Sequence, residues 1–456
     1  MRSTCNIAAV LVAACLCHAE LPAEITDPKD RAIVEAYLGY VKESPATVTK
    51  LAKTKLPEDH CWKTGPVLDI VVPAYRLTRD TQYLDLFVKN FGILHEQIAK
   101  GPDGYLGWYG KALKRFHPKK RPDLKVDVII TSFRIVESLC EFIRLIDQDP
   151  ALRKRYAAER KQYVELMTRH LVPKWDARKC YMDLGKRGAV YRTHPDLVPW
   201  KGSLTQPANK NATIGRALLE LYEVTGDDEY VKKAIKLGTF FKRCLKLKKD
   251  RYNWNYWEPA GKWDIHPDKK TQWKHWLGAE HKASYYNLSL NYAIRLFREG
   301  LVYDRTDIDR FVKTQLEVTW NGDFKNPKWA TTAGKPRKSS YMCGGLAPYS
   351  QTIAEYCKSR GGGDREQRYK KHNVNSWQGG VLARGYIDKL ARQIHGARKK
   401  KHIPIAERFL KKPANQAFVD ELAFTVEPPG YWAPIARRAI WEGEILVGGT
   451  KPKKKK

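Results

Sequence analysis

The sequence predicts an all-α fold in which paired helices form an (α/α) barrel, or toroid, of six or seven hairpins. Apolar residues recur at helical spacing in successive stretches, and short polar turns divide these stretches into pairs. Helical hairpins that repeat in this way are typical of toroids and solenoids. The 456 residues, 43% of them hydrophobic, are enough to form the core of such a large domain.

The first half of the chain contains one single helical stretch and two predicted hairpins. The single helix is expected over 31–40. The stretches 67–77 and 83–98 form the first hairpin, which a Thr-Arg-Asp turn divides. The stretches 126–146 and 152–171 form the second, divided by a polar turn that ends in proline. Each hairpin therefore has the same plan of two helices around a short polar turn.

The second half of the chain repeats this plan. The stretches 214–224 and 230–245 form the clearest hairpin, because a Thr-Gly-Asp turn separates two long apolar patterns. A looser copy joins 288–297 to 308–318 around a glycine. We expect these hairpins to continue the same ring of helices.

The linkers between the hairpins are long and rich in aromatic and basic residues. They cover 101–125, 174–211, 253–277 and 320–345, and the third of them holds five tryptophans. Long loops in a compact domain usually carry function. If the hairpins form a barrel, these loops gather at one end of it and surround a cleft.

Both ends of the chain differ in composition from the helical region. Residues 1–19 are typical of a secretion signal, with a basic residue, a short apolar core and a small residue at the cleavage point. The apolar core is too short to span a bilayer, and it also resembles a lipoprotein processing site, which would make Cys15 a lipid-anchored first residue. We therefore expect an exported protein, periplasmic or extracellular. A barrel domain over 20–395 would precede a small Pro/Lys-rich extension over 396–456, in which 418–426 is a candidate strand.

The charge of the chain indicates its class of partner. The sequence carries 83 basic and 50 acidic residues, a net charge of +33. Such a charge favours polyanions. Export disfavours nucleic acid, so an acidic polysaccharide is the expected partner. The sequence makes no prediction of oligomeric state.

The cysteines and the other metal-ligand residue types show no metal motif. No Cys-x-x-Cys pair, His-Glu-x-x-His motif or Asp-rich calcium loop occurs, so we predict no metal and no cofactor. Disulfides and buried free thiols are equally consistent with the six scattered cysteines beyond the signal, which are Cys61, Cys140, Cys180, Cys244, Cys343 and Cys357.

Four local patterns together resemble a known enzyme family. They are the Asn-Lys-Asn entrance at 209–211, the Thr-Gly-Asp-x-x-Tyr turn at 225–230, the Tyr-x-Trp-x-Tyr-Trp-Glu-Pro block at 252–259 and the following helix that contains His281. Over about residues 60–390 the chain resembles the (α/α)-barrel polysaccharide lyases, in particular the alginate and glucuronan lyases of polysaccharide lyase family 38. The resemblance implies cleavage of a uronate-containing chain by β-elimination. In these lyases an Asn neutralises the substrate carboxylate, while a His and a Tyr move the protons.

The resemblance assigns these roles to particular residues. Asn209 or Asn211 would neutralise the carboxylate, although an Asn at this position also simply caps a helix. His281 would be the base, since a neutral imidazole suits that role. Tyr285 lies four residues on, so both rings share one helical face. His266 and His275, in the preceding loop, are competitors for the role of base. His266 would otherwise contact substrate, and His275 would otherwise stack on the tryptophans around it.

Tyr341 is the alternative acid to Tyr285. It lies in a loop with Arg337 and Lys338, whose charges are expected to lower the pKa of its hydroxyl and to bind substrate carboxylates. Only the loop context separates Tyr341 from Tyr285 and Tyr256. The remaining candidate substrate contacts are Lys210, Trp254, Tyr256, Trp257 and Trp377.

Two other functions stay open at this point. A glycoside hydrolase would need two carboxylates across the bond. A non-catalytic receptor for an acidic glycan would bind without turnover. Positive charge in the cleft would hinder a general acid, so we prefer the lyase. The carboxylate candidates for the hydrolase are Glu258, Asp264 and Glu280, with Asp69 or Asp103 opposite.

Overall fold

The computed structural model is mostly helical, with short two-stranded antiparallel β-pairs in its described part. The expected all-α class is therefore confirmed. The expected signal, Cys15 and the Lys-rich tail lie outside the described residues. The structure describes residues 21–111, 125–194, 203–266, 269, 272–362, 377–396, 402–422, 424–427 and 431–434. It describes the side chains of these residues except in 358–382 and 424–434.

The helices cover most of the described chain. The helices are α1 (Pro28–Lys42), α2 (Ser44–Ala52), α3 (Pro57–Asp59), α4 (Gly65–Asp69), α5 (Val71–Thr78), α6 (Gln82–His95), α7 (Ile129–Ile146), α8 (Pro150–Arg155), α9 (Ala157–Leu166), α10 (Pro173–Ala177), α11 (Ala208–Thr225), α12 (Asp228–Cys244), α13 (Ala283–Arg298), α14 (Arg305–Thr314), α15 (Gln351–Gly362), α16 (Trp377–His395), α17 (Ile405–Phe409) and α18 (Pro413–Glu421).

The strands are short and pair only with their neighbours in sequence. Each pair is antiparallel. In the pair that precedes Tyr256 in sequence, for example, Lys246 lies opposite Asn253. The strands are β1 (Ala99–Lys100), β2 (Leu106–Gly107), β3 (Gly110–Lys111), β4 (Lys125–Val126), β5 (Tyr181–Asp183), β6 (Ala189–Tyr191), β7 (Lys246–Lys248), β8 (Arg251–Asn253), β9 (Trp329–Ala330), β10 (Pro336–Arg337), β11 (Phe424–Glu427) and β12 (Tyr431–Pro434).

The predicted hairpins are present, and local capping explains where their helices end. Gly226 adopts a left-handed φ of 72° after α11, and Asp227 then accepts a hydrogen bond from the backbone of Glu229 to begin α12. Arg79 ends α5 in the same left-handed conformation. Asp304 caps α14. The polar turns in the sequence therefore act as helix stop and start signals.

The helices pack in an order that joins the two ends of the chain. Helix α11 packs against α7, α12 and α13. Helix α16, far along the chain, packs against α5 and α1. Most of the buried apolar side chains form one large core that extends from Ile25 to Leu422, and Val190, Phe240 and Ala260 form a small second cluster.

A network of ion pairs lies between these helices around a cavity of about 430 Å³. Asp69 of α4 pairs with Arg134 of α7 and with Arg384 of α16. Glu220 of α11 pairs with Arg144 of α7, and Arg295 of α13 lies 3.3 Å from the same carboxylate. Such a shared network holds partly buried charges in pairs, which avoids the cost of an unpaired buried charge.

The expected strand over 418–426 is only partly correct. Helix α18 continues to Glu421, and the strand begins at Phe424 and pairs with Tyr431–Pro434. Lys412 and Asn415 bond the carboxylate of Asp228 at the start of α12. The described start of the C-terminal extension therefore packs on the helices, because these polar contacts and buried Phe409 tie it down.

The described part of the chain shows the state of the cysteines and whether any helix could span a membrane. Cys61, Cys140, Cys180, Cys244 and Cys343 are free thiols, which decides for these five between the two alternatives that the sequence left open. None of the described helices is both long and apolar enough to cross a membrane.

Candidate functional site

Tyr256 joins the start of α11 to the residues that precede α13. Its backbone oxygen accepts a hydrogen bond from the Ala208 amide at 3.0 Å, and its amide donates to the Gly278 oxygen at 2.8 Å. Asn255 forms an isolated β-bridge with Ala279. These bonds bring the polar entrance, the aromatic block and the residues around His281 side by side, although they are separate in sequence. His281 itself precedes α13, which begins at Ala283 after an extended Lys282, so the expectation that His281 and Tyr285 share one helical face is wrong.

An aromatic cluster (Tyr256, His275, Trp276, His281 and Tyr285) forms at this junction. The ring of Tyr256 stacks on that of Tyr285, with centroids 5.3 Å apart. The imidazole of His281 lies edge-on to both rings, 5.4 Å from Tyr256 and 5.8 Å from Tyr285. Trp276 is 50% exposed and packs edge-on to His281. His281 is exposed and the two tyrosines are half-buried, so a ligand in solvent can reach them.

The electrostatic surroundings of this cluster are basic. Partial burial lowers the pKa of His281, and the nearby charges of Lys282, Arg337 and His275 lower that pKa further. The ammonium of Lys282 lies 5.1 Å from the centre of the Tyr285 ring. His281 is therefore held neutral at neutral pH, in the protonation state that a base requires.

The two asparagines of the entrance have different surroundings. The side-chain oxygen of Asn211 accepts from the Tyr191 amide at 3.0 Å, and its nitrogen donates to the Gln206 oxygen at 2.9 Å. Asn211 is thus occupied in holding β6 against the start of α11, which removes it as a carboxylate ligand. Asn209 is buried, and its side-chain oxygen has no hydrogen-bond partner among the described residues.

Lys210 forms an ion pair with an acidic residue of α3. Its ammonium lies 2.9 Å from a carboxylate oxygen of Glu58, which also accepts from the indole of Trp62 at 3.1 Å. Trp62 lines the cavity between the helices. Sequence reasoning did not single out Trp62, Trp276 or Lys282. The only signal for the last two was their position next to His275 and His281.

Trp254 and Trp257 are fully buried, which corrects the expectation that they line sugar subsites. The indole of Trp254 stacks on Tyr286 at 5.4 Å, and its N–H donates to Glu280. The indole of Trp257 donates to the Thr205 oxygen at 2.8 Å. Each indole finds an internal partner for its polar N–H, so both rings pack as core.

Tyr341 is also buried, which corrects its expected role as an exposed acid. Its hydroxyl donates to the Glu280 backbone oxygen at 3.1 Å. Burial raises the pKa of Tyr341, and this effect outweighs the opposite influence of Arg337, contrary to the sequence expectation. Arg337 itself is half-buried on β10, and Lys338 beyond it is exposed.

Two further candidates are His266 and Trp377. The His266 amide donates to the Gln272 oxygen at 2.8 Å, which places His266 in the loop before the aromatic cluster. Trp377 begins α16, and its side chain lies outside the described side chains.

The carboxylates that a hydrolase would use have other partners. Asp264 is buried and accepts from Thr205 and from the amides of Ala260 and Gly261. Asp103 pairs with Arg178. Of the remaining three, Glu258 accepts a hydrogen bond from Asn255, Asp69 belongs to the ion-pair network, and Glu280 is buried in the core.

Comparison of this chain with protein-family models, with curated proteins and with solved structures finds no match. Among the described residues, no group of three or more His, Cys, Asp or Glu side chains is arranged to hold a metal ion.

Proposed function

We propose that this protein is an exported polysaccharide lyase that cleaves a uronate-containing chain such as alginate or glucuronan by β-elimination. The main support for the proposal is that the His281 imidazole contacts the rings of Tyr256 and Tyr285 where solvent can reach them. Basic residues surround this contact. Stacked aromatic rings suit a sugar, and the positive charges suit its carboxylate. The local resemblance to the lyases of family 38 supports the same class.

We propose in addition that the hairpins close into an (α/α) toroid. Its inner helices would be α5, α7, α11, α13 and α16. The packing of α11 against α7 and α13 supports this arrangement, as does the packing of α16 on α5. The aromatic cluster then lies at the end of the toroid where α11 and α13 begin. Enzymes that bind chains commonly use loops gathered at one end of a scaffold.

The proposed chemistry needs one base and one acid. His281 removes the proton from the carbon next to the carboxylate, which breaks a C–H bond and forms a carbon–carbon double bond. The neighbouring C–O bond breaks at the same sugar, and Tyr285 gives its proton to the leaving oxygen. Tyr285 replaces Tyr341 in this role because it is half-buried at the surface of the cluster.

Neutralisation of the substrate carboxylate makes that proton acidic. Arg337 and Lys282 are the cations whose charge reaches His281, so a carboxylate bound beside the imidazole would meet them. Exposed Lys338 extends the basic surface. Asn209 is buried at the start of α11, so its amide meets the carboxylate only if the entrance opens. The net charge of +33 would attract an anionic chain from solution.

The test is an absorbance assay on alginate, glucuronan, pectate and glycosaminoglycans, with and without a chelator. β-Elimination leaves a conjugated double bond that absorbs in the near ultraviolet, whereas hydrolysis does not. We expect a rising signal on one of these substrates. His281→Ala should abolish it while His95→Ala, the same change at the end of α6, leaves it intact. Activity of His281→Ala within a few-fold of wild type would remove His281 from the mechanism.

Two other outcomes would replace the proposal. A flat absorbance with new reducing ends would indicate the carboxylate hydrolase. A flat absorbance with no new ends, together with retention on an acidic-glycan column, would indicate a binding protein.

A further inference from the structure

Glu280 is a fully buried carboxylic acid directly before His281. Its two carboxyl oxygens accept hydrogen bonds from the hydroxyl of Ser289 at 2.7 Å and from the indole of Trp254 at 2.9 Å. Its backbone oxygen accepts from the hydroxyl of Tyr341 at 3.1 Å. Within the described part of the chain, burial and these two side-chain hydrogen bonds determine the pKa of the Glu280 carboxyl, and no charged neighbour contributes. Three separate segments therefore meet at one residue.

Two of these segments carry the tyrosines of the aromatic cluster. Trp254 is two residues before Tyr256, so the bond to its indole holds the segment that presents Tyr256. Ser289 lies one helical turn after Tyr285, and its hydroxyl is also 3.2 Å from the Tyr285 backbone oxygen. The side chain of Glu280 thus ties the Tyr256 segment to the first turns of α13.

The third segment contains Tyr341 and also Arg337, one of the cations around the aromatic cluster. Tyr341 is four residues after Arg337, and its hydroxyl is bonded to the backbone of Glu280. Its ring also packs on Tyr286, 5.5 Å away. Since His281 follows Glu280 directly, the backbone that orients the imidazole is held from this side as well.

We propose that Glu280 is the positioning residue of this site. It holds the segments of Tyr256, Tyr285 and Arg337 together, so that the His281 ring lies edge-on to both tyrosines. Glu280 is buried and does not touch a ligand in solvent, so it acts only through these neighbours. The catalytic consequence rests on the proposed function, but the positioning itself can be measured without turnover.

A carboxylic acid suits this position because two donors approach it from different segments. Glutamine keeps the length and one acceptor oxygen, and its amide can donate to the Ser289 hydroxyl, which is both donor and acceptor. Alanine leaves the Trp254 indole and the Ser289 hydroxyl without these partners in the core. Glu280→Gln should therefore preserve the arrangement, and Glu280→Ala should release it.

The test is a histidine titration by NMR, with the His281 signal identified by its loss in His281→Asn. In the wild type its pKa should lie below 6.5, because partial burial is the largest cause of its lowered value. In Glu280→Ala the imidazole becomes more exposed, so its pKa should rise towards 6.5. It should stay unchanged in Glu280→Gln and in Tyr303→Phe, a control that removes a buried hydroxyl bond to Gly238.

Milder variants keep the test decisive if Glu280→Ala does not fold. Ser289→Ala and Trp254→Phe each remove one donor to Glu280 and should each shift the His281 titration in the same direction. An unchanged titration in every folded variant would overturn the positioning role.

A shift without lyase activity on any substrate would leave the positioning role and refute the proposed function. Where the lyase assay succeeds, Glu280→Ala should lower kcat at least about tenfold, and Glu280→Gln much less.

Discussion

The buried carboxyl of Glu280 should make the stability of the fold depend on pH, and Glu280→Gln should remove that dependence. Burial raises the pKa of Glu280 from 4.5 to about 7, although Ser289 and Trp254 donate hydrogen bonds to it. The folded chain therefore binds this proton more tightly than the unfolded chain does. The contribution of Glu280 to stability is complete below pH 4.5 and is lost as the pH rises through about 7.

The size of the effect follows from the two pKa values. At 1.36 kcal/mol per pH unit, the difference between 4.5 and about 7 corresponds to about 3 kcal/mol of unfolding free energy. Most of it, about 2.5 kcal/mol, is lost between pH 5 and pH 8. Glutamine does not titrate, and its amide can satisfy both the Trp254 indole and the Ser289 hydroxyl. All other groups titrate alike in both proteins.

Urea unfolding of the wild type and of Glu280→Gln at pH 5 and pH 8 measures this effect. The free energy of unfolding of Glu280→Gln relative to wild type should increase by about 2.5 kcal/mol from the lower to the higher pH. Comparing the two proteins at each pH cancels the pH dependence of every shared group. A change below about 0.5 kcal/mol would refute the reasoning, because the carboxyl would then ionise as easily in the core as in water.

The other predictions concern the cluster and its supports. The acidic limb of kcat/KM should lie below pH 6.5, since the pKa of His281 is lowered, and a limb at pH 7 or above would contradict this. Tyr285→Phe should lower kcat by about 100-fold or more and Tyr341→Phe far less, because only Tyr285 is accessible; the reverse order in steady-state kinetics would exchange their roles. Arg337→Gln should raise KM about tenfold at low salt and less at high salt, whereas an unchanged KM would remove its carboxylate contact. Trp257→Ala should lower the free energy of unfolding by about 3–5 kcal/mol, and a loss below 1 kcal/mol in urea would show that its ring is not core.

The helical hairpins could be predicted from the sequence because their signals are local. Apolar spacing marks the buried face of each helix, and a residue such as Gly226 or Asp227 marks its end through its own backbone geometry. These features need no knowledge of the rest of the chain.

The irregular loops could not be interpreted in this way. Trp254, Tyr256 and Trp257 lie within four residues of one another, yet two are core and one is half-exposed. No periodicity in such a loop tells which ring turns inwards, because that depends on where each indole N–H finds a partner. The partners are Glu280 and Thr205, which are distant in sequence.

The sequence by itself determined the helical class, the polar turns and the strongly basic charge. Only the tertiary structure decided that Asn211 and Tyr341 are held inside, and that Tyr256 stacks on Tyr285. The reason is that helix signals arise between residues a few positions apart. Burial and hydrogen bonding in loops arise from segments that meet only when the whole chain has folded.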